Sequence, residues 1–174
     1  MYAVTVDTVI EPVVDTDLAG FVGSLAGLWR DDSGRHDPSV NPDWPQRSGA
    51  EYLRDLLADP DAAVLAARTG PDGAIAGHLV GRYVPASEFR IVPTAVLESM
   101  QVRADLRGQG IGGRLVDAFL AWAAARGADR AAVTAYSGNT RAQAFYRRHG
   151  FAPLSVTLTR PVGAPPEFSR AGRR

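Results

Sequence analysis

Val102-Arg103-Ala104-Asp105-Leu106-Arg107-Gly108-Gln109-Gly110-Ile111-Gly112-Gly113-Arg114 is the stretch on which the fold turns. A β-patterned segment, Thr94 to Arg103, runs into it, and Ile111, Leu115, Phe119 and Trp122 follow at helical spacing. The stretch is therefore a glycine-studded turn joining a strand to an amphipathic helix. Glycines leave the backbone bare, so a large anion can approach the unpaired N–H groups of the first helical turn. The helix dipole adds partial positive charge there, and Arg107 and Arg114 add full charges beside it. The pattern reads as a pyrophosphate cradle.

Downstream, the helix is expected to run to Arg126 and stop at Gly127. Arg130 to Ala135 reads as a strand, Asn139 to His149 as a helix stopped by Gly150, and Phe151 to Arg160 as a sixth strand. The Pro/Gly/Arg-rich residues 161–174 are expected to be a disordered tail after a single domain over residues 1–160. Upstream, Tyr2 to Val9 reads as a first strand. Asp15-Thr16-Asp17 supplies cap chemistry before a helix carrying Leu18, Phe21, Val22, Leu25, Leu28 and Trp29. Asp31 to Gly49, rich in Pro, Asp, Ser and Gly, is expected to be a loop. Ser48 then caps a helix over Ala50 to Ala58, with Glu51 completing a capping box. Ala62 to Arg68 and Ala74 to Val84 read as strands joined by the turn Thr69-Gly70-Pro71-Asp72-Gly73. The order β-α-α-β-β-β-α-β-α-β implies an α/β (α+β) chain with a mixed sheet and helices on both faces.

A chain of 174 residues suits one domain, and its longest apolar run, Ala118 to Ala125, is too short to span a bilayer. The opening residues show no basic region leading into an apolar one, so a cytoplasmic location is expected, with no membrane or nucleic-acid partner. With no cysteine there are no disulfides, zinc–thiolate sites or thiol catalysis, and no metal is expected. Net charge is zero but unevenly spread: residues 1–87 hold thirteen carboxylates and six arginines, residues 88–174 the reverse balance of six and thirteen. Chance plus an arginine-rich tail explains this; so does an anion-binding second half facing a first half that attracts cations.

Walker A is excluded, because no Gly-Lys-Ser/Thr follows the glycines. Gly108-x-Gly110-x-x-Gly113 matches the dinucleotide fingerprint, but it lies past the midpoint, and no acid ends the next strand to grip a ribose. Arg107-x-x-Gly110-x-Gly112 instead resembles the Q/R-x-x-G-x-G/A signature of the GNAT superfamily of acetyl-CoA-dependent N-acyltransferases. Met100-Gln101-Val102 resembles the end of that family's fourth strand. Asn139-Thr140-Arg141-Ala142-Gln143-Ala144-Phe145-Tyr146-Arg147-Arg148-His149-Gly150-Phe151 is similar to its second block, N-x-x-A-x-x-x-Y-x-x-x-G-F. The likeness covers residues 94–153 in order and spacing. One departure is that a single strand follows the last helix where members commonly have two, which bears on the sheet edge and on any homodimer built there.

The resemblance implies a GNAT fold, a mostly antiparallel sheet of about six to seven strands, and acetyl-CoA as acyl donor without a metal. It implies that the amides of Arg107, Gly108, Gln109, Gly110, Ile111 and Gly112, with Gly113 and Arg114 behind them, take the pyrophosphate. A side chain at Gly110 or Gly112 would push the phosphates away. It also implies that the fourth and fifth strands splay, so that Met100 and Val102 pair with pantetheine as a strand would, and that one amide steadies the oxyanion. Tyr146 is the candidate acid, on the same helical face as Asn139. Glu98 is the candidate base; it shares strand parity with Met100 and Val102 and would emerge on their face. His149, at a helix end, suits the last carbonyls, and His78, within a strand, reads as a core or face residue.

In the related fold the connection between the first two helices covers the acceptor. There Asp31, Asp32, His36, Asp37, Asp43 and Trp44 either recognise a cation or serve as ordinary polar-loop residues. The expected activity is transfer of an acetyl group to the primary amine of a small molecule or peptide by direct attack on the thioester, since a cysteine relay is impossible. A non-catalytic acyl-CoA-binding sensor of the same fold is the alternative.

Overall fold

The computed structural model describes residues 7–70 and 72–163. Four strands, β1 (Thr8–Pro12), β2 (Ala62–Thr69), β3 (Ala74–Val84) and β4 (Thr94–Val102), form an antiparallel meander. A fifth, β5 (Arg130–Val133), lies parallel to β4, so the sheet order is β1-β2-β3-β4-β5. The helices are α1 (Leu18–Leu28), a short α2 (Gly34–His36), α3 (Trp44–Ala58), α4 (Ile111–Ala125) and α5 (Thr140–Arg148). Parallel pairing needs a crossover, and α4 supplies it.

Strand alternation sends neighbouring side chains into two cores, one on each face of the sheet. Ala66 and Val80 join Phe21 and Leu25 of α1 and Leu53 and Leu56 of α3. Ala67 and Leu79 join Leu97, Ile111, Leu115, Val116 and Phe119 on the α4 face. Gly81 lets α4 settle this closely: a Cβ there would stand 2.7 Å from the ring of Phe119, which is fully buried. The fold class read from the sequence is the one observed, with helices on both faces of a mixed, mostly antiparallel sheet, though among the described residues the sheet has five strands where about six to seven were expected.

Four segments differ from expectation. The first strand falls at Thr8–Pro12 rather than ending at Val9; residues 2–6 of the expected strand lie outside the described residues. Pro12 is tolerated because β1 is an edge. The second long helix begins at Trp44, not after Ser48, with Pro45 in its first turn and Ser48 and Glu51 inside it. Trp44 stacks on Trp29 with ring centroids 4.9 Å apart and meets Tyr52 edge-on at 5.3 Å, and this aromatic packing carries the helix back into the Pro/Asp-rich stretch. The expected loop is also interrupted by α2 and by a π-helical turn, Trp29–Ser33. Finally, the sixth strand does not form: residues 151–160 have no regular structure, and Leu154, Val156 and Leu158 are exposed. Its alternation is strand-like, but among the described residues it pairs with nothing. The expected tail lies outside the described residues from 164 onward.

Candidate active site

The glycine turn follows the carboxyl end of β4, and Asn139 and α5 follow that of β5, the usual ligand end of parallel α/β neighbours. The two strands pair from Thr94↔Arg130 to Leu97↔Val133; there β5 ends while β4 continues to Val102. Arg103 N–H donates to Ala76 O of β3 at 2.8 Å. By alternation Gln101 also faces β3, so the N–H and C=O groups of Met100 and Val102 face the opposite, diverging edge. The Val102 carbonyl confirms the direction, accepting from Arg107 Nε on that side at 2.9 Å.

The glycine turn follows directly. A single turn of 3-10 helix, Ala104–Leu106, seats Leu106 in the core, and the chain then swings through Gly108 at φ +83° and Gly110 at φ +79°. Both glycines are exposed. This left-handed backbone, which side-chain-bearing residues rarely adopt, is what requires glycine at these two positions. Arg114 N–H bonds back to Gly110 O at 3.1 Å, so the amides ahead of it form the open first turn of α4. The next two glycines have another reason. A Cβ on Gly112 would stand 3.3 Å from the Phe145 ring and one on Gly113 3.2 Å from His149 Nε2, so both also make room for α5.

The two flanking arginines are also committed elsewhere. Arg107 gives its backbone N–H to Ala104 O and its guanidinium to Val102 O and Asp31, while Arg114 Nη1 lies 3.4 Å from Thr8 O. The groups left open at this turn are therefore those of the main chain from Gly108 to Gly113. Bare amides beside an open strand edge fit a diphosphate bearing an extended, amide-containing arm. Gln109 Oε1, buried and without a partner among the described residues, adds one acceptor to the same turn.

Asn139 and Tyr146 lie beyond β5, at the start and toward the end of α5. Asn139 Oδ1 caps α5 by accepting from Ala142 N–H at 2.9 Å. Tyr146 packs between Phe145 and Phe151, and burial, with the Asp32 carboxylate, pushes its phenol up to about 12. It holds its proton at neutral pH.

Glu98 corrects a parity argument. β3 and β4 pair Val80 with Ser99 but Gly81 with Leu97, leaving Glu98 as the extra residue of a bulge. The bulge breaks the alternation. Leu97 and Met100 both pack toward the α4 face, whereas Glu98 Oε1 accepts from Arg82 Nε at 2.8 Å and lies close enough to Tyr52 of α3 to act on its ionisation. Glu98 is therefore on the α1/α3 face, not with Met100 and Val102. Tyr52, raised to about 12 by burial and by Glu98, and Arg82, shared with Asp59, are neighbours the sequence did not single out.

Of the expected acceptor residues, Asp31, Asp32 and His36 lie beside the glycine turn and the start of α5. Asp31 accepts from Arg107 Nη2 at 2.5 Å; burial alone would raise its carboxyl, and the Arg107 hydrogen bond and charge more than reverse that. His36 stacks on Tyr136 at 5.6 Å. Asp37 instead holds a local turn through Ser39, and Trp44 belongs to the aromatic stack. His149 Nδ1 donates to Phe145 O at 2.9 Å, as a helix-end imidazole should. His78 is wholly buried, between Ser24 Oγ at 2.7 Å and Ser99 Oγ at 3.3 Å.

Among the described residues no helix is long and apolar enough to cross a membrane, and no cluster of three His, Asp or Glu side chains could hold a metal ion. Comparison with known proteins agrees with this geometry. A transcriptional regulator from Bacillus halodurans C-125 has 25% identity and a TM-score of 0.73, over 89% of this chain and 99% of that one. Aminoglycoside N-acetyltransferase AAC(6')-Iy in complex with CoA has 20% identity and a TM-score of 0.70, over 94% and 100%. Ribosomal-protein-alanine N-acetyltransferase from Brucella melitensis biovar Abortus 2308 has 22% identity and a TM-score of 0.64, over 88% and 99%. No curated protein matches the chain in sequence. The model of the acetyltransferase (GNAT) family matches residues 25–151, from the end of α1 through the bulged strand and the glycine turn to α5, and the chain is an acyltransferase belonging to that family.

Proposed function

We propose that the protein transfers an acetyl group from acetyl-CoA to a primary amine of a small molecule or peptide, by direct attack on the thioester. The observation that carries this reading is the parting of β4 from β5 after Leu97↔Val133, directly beside a glycine turn with exposed left-handed Gly108 and Gly110. When bound, acetyl-CoA supplies the activated acyl group. The chain's own amides from Gly108 to Gly113 bind its diphosphate. The edge groups of Met100 and Val102 hold its extended arm, and an edge N–H meets the charge developing on the carbonyl oxygen.

An ammonium must lose a proton before it attacks. Glu98, on the α1/α3 face, is the group placed to accept it, directly or through water. Tyr146 offers its hydroxyl to the departing sulfur. A free thiol has a pKa of about 8.5, well below the phenol, so full proton transfer is uphill and Tyr146 acts mainly as a hydrogen-bond donor. The acceptor enters past the turn that carries Asp31, Asp32 and His36, where carboxylates suit a cationic amine.

A non-catalytic acyl-CoA sensor is the second reading, favoured by the likeness to the Bacillus halodurans regulator. Thiol release from acetyl-CoA, measured with kanamycin, spermidine and an alanine-initiated peptide, decides. Stimulation by any of the three supports transfer; CoA binding with no stimulation supports the sensor.

A further inference from the structure

The turn that leaves α1 touches both arms of the cleft. Trp29–Ser33 is π-helical, a rare winding that occurs mostly as single turns and frequently at functional sites. It presents two consecutive carboxylates in different directions. Asp31 takes Arg107, on the β4 side; Asp32 Oδ1 accepts from Asn139 Nδ2 at 2.6 Å, on the β5 side. The second contact fixes more than a distance. Asn139 has one donor end and one acceptor end. With its NH2 held by a carboxylate, its oxygen is aimed at Ala142 N–H, where it caps α5. Further along α5, Tyr146 is wedged against Phe145 at 5.3 Å and Phe151 at 5.7 Å.

We infer that Asp32 is a positioning residue for the transfer reaction: through the Asn139 amide it fixes the first turn of α5, and so the place from which Tyr146 presents its hydroxyl. The inference rests on the reading of Tyr146 as the group that meets the leaving sulfur. Asp32 is also the charge that, after burial, holds the phenol protonated. The other ionisable groups nearby are His36, whose Nε2 is 3.8 Å from Asp32 Oδ1, His149 on the same helix, engaged with Phe145 O, and the exposed Arg147 and Arg148. The acceptor-side turn thereby sets the geometry of a group on the donor side.

Asp32→Asn and Asp32→Ala separate the contact from the charge. Asparagine keeps an oxygen for Asn139 Nδ2 and loses the charge; alanine loses both. In the full-length protein, with acetyl-CoA and the best amine of the panel above, Asp32→Ala is expected to lower kcat about three- to tenfold, no further than removal of the Tyr146 hydroxyl itself. CoA affinity by calorimetry and KM for acetyl-CoA should stay within about twofold, and Asp32→Asn should restore most of kcat. Ultraviolet titration of tyrosinate, with Tyr146→Phe as the blank, should place the Tyr146 ionisation lower in both variants than in the wild type. An unchanged kcat in Asp32→Ala overturns the inference. So does a loss that asparagine does not rescue, one expressed as weaker CoA binding, or an unmoved Tyr146 titration. If Asp32→Ala does not fold, the near-normal kcat and shifted titration of Asp32→Asn carry the test. If the wild type acetylates no amine, the functional reading falls, and the titration alone decides whether Asp32 governs Tyr146.

Discussion

At the scale of single residues, Tyr146 shows how burial tempers an acid. Its phenol, near 12, cannot readily hand its proton to a thiolate that tolerates leaving unprotonated. Tyr146→Phe is therefore expected to lower kcat by about tenfold rather than abolish turnover, with CoA affinity unchanged. Loss of turnover beyond about a thousandfold would mean that full proton transfer is required. Glu98 is more exposed to test, because Arg82 already occupies its carboxylate. If it is the base, Glu98→Gln lowers kcat at neutral pH and flattens the rise of kcat on the acid side of the pH profile. A wild-type profile in that variant would assign the glutamate to the Arg82 ion pair alone.

At the scale of elements, what was legible in the sequence is what local chemistry determines. The glycine turn, the helix after it with Gly127 at its end, and the Asn139-capped α5 ending at Gly150 all fall where their residues indicate. What was not legible depends on partners distant in sequence. The start of α3 is set by Trp29 against Trp44, and the facing of Glu98 by a bulge that only the register with β3 reveals. Phe151 to Arg160 has the alternation of a strand, but alternation supplies no neighbour to pair with. The sequence pairs Gly110 with Gly112, whereas φ pairs Gly110 with Gly108 and sets both apart from Gly112 and Gly113, which make room for α5. A close approach of the same kind gives an element-scale prediction. Gly81→Ala drives a methyl into the Phe119 ring and should destabilise the fold by about 1–3 kcal/mol, lowering the urea midpoint without changing the slope. An unchanged midpoint would show that α4 can shift on the sheet freely.

For the whole molecule, the uneven charge of the two halves is partly resolved by contact. Asp31 meets Arg107 and Asp61 meets Arg126, so acids of the first half neutralise arginines of the second, and the glycine turn is left to its amides. The buried centre is sensitive to acid through His78. Burial lowers its pKa from 6.5 to about 4, so the folded state excludes a proton that the unfolded chain binds. Stability from this group is complete above pH 6.5 and is lost as pH falls toward about 4, amounting to about 3 kcal/mol. Thermal unfolding of wild type and His78→Gln between neutral pH and pH 4 should show the wild type losing more of its Tm. Parallel losses would place the acid sensitivity elsewhere.

The central claim, that the bare backbone ahead of α4 grips a diphosphate, is tested most directly by calorimetric titration of CoA into the wild type and Gly110→Asp. The account predicts saturable binding to the wild type and affinity weaker by at least about a hundredfold, or about 2.7 kcal/mol, once a carboxylate and a strained φ replace Gly110. A wild type that takes up no CoA, or a Gly110→Asp variant that binds it equally well, would contradict it.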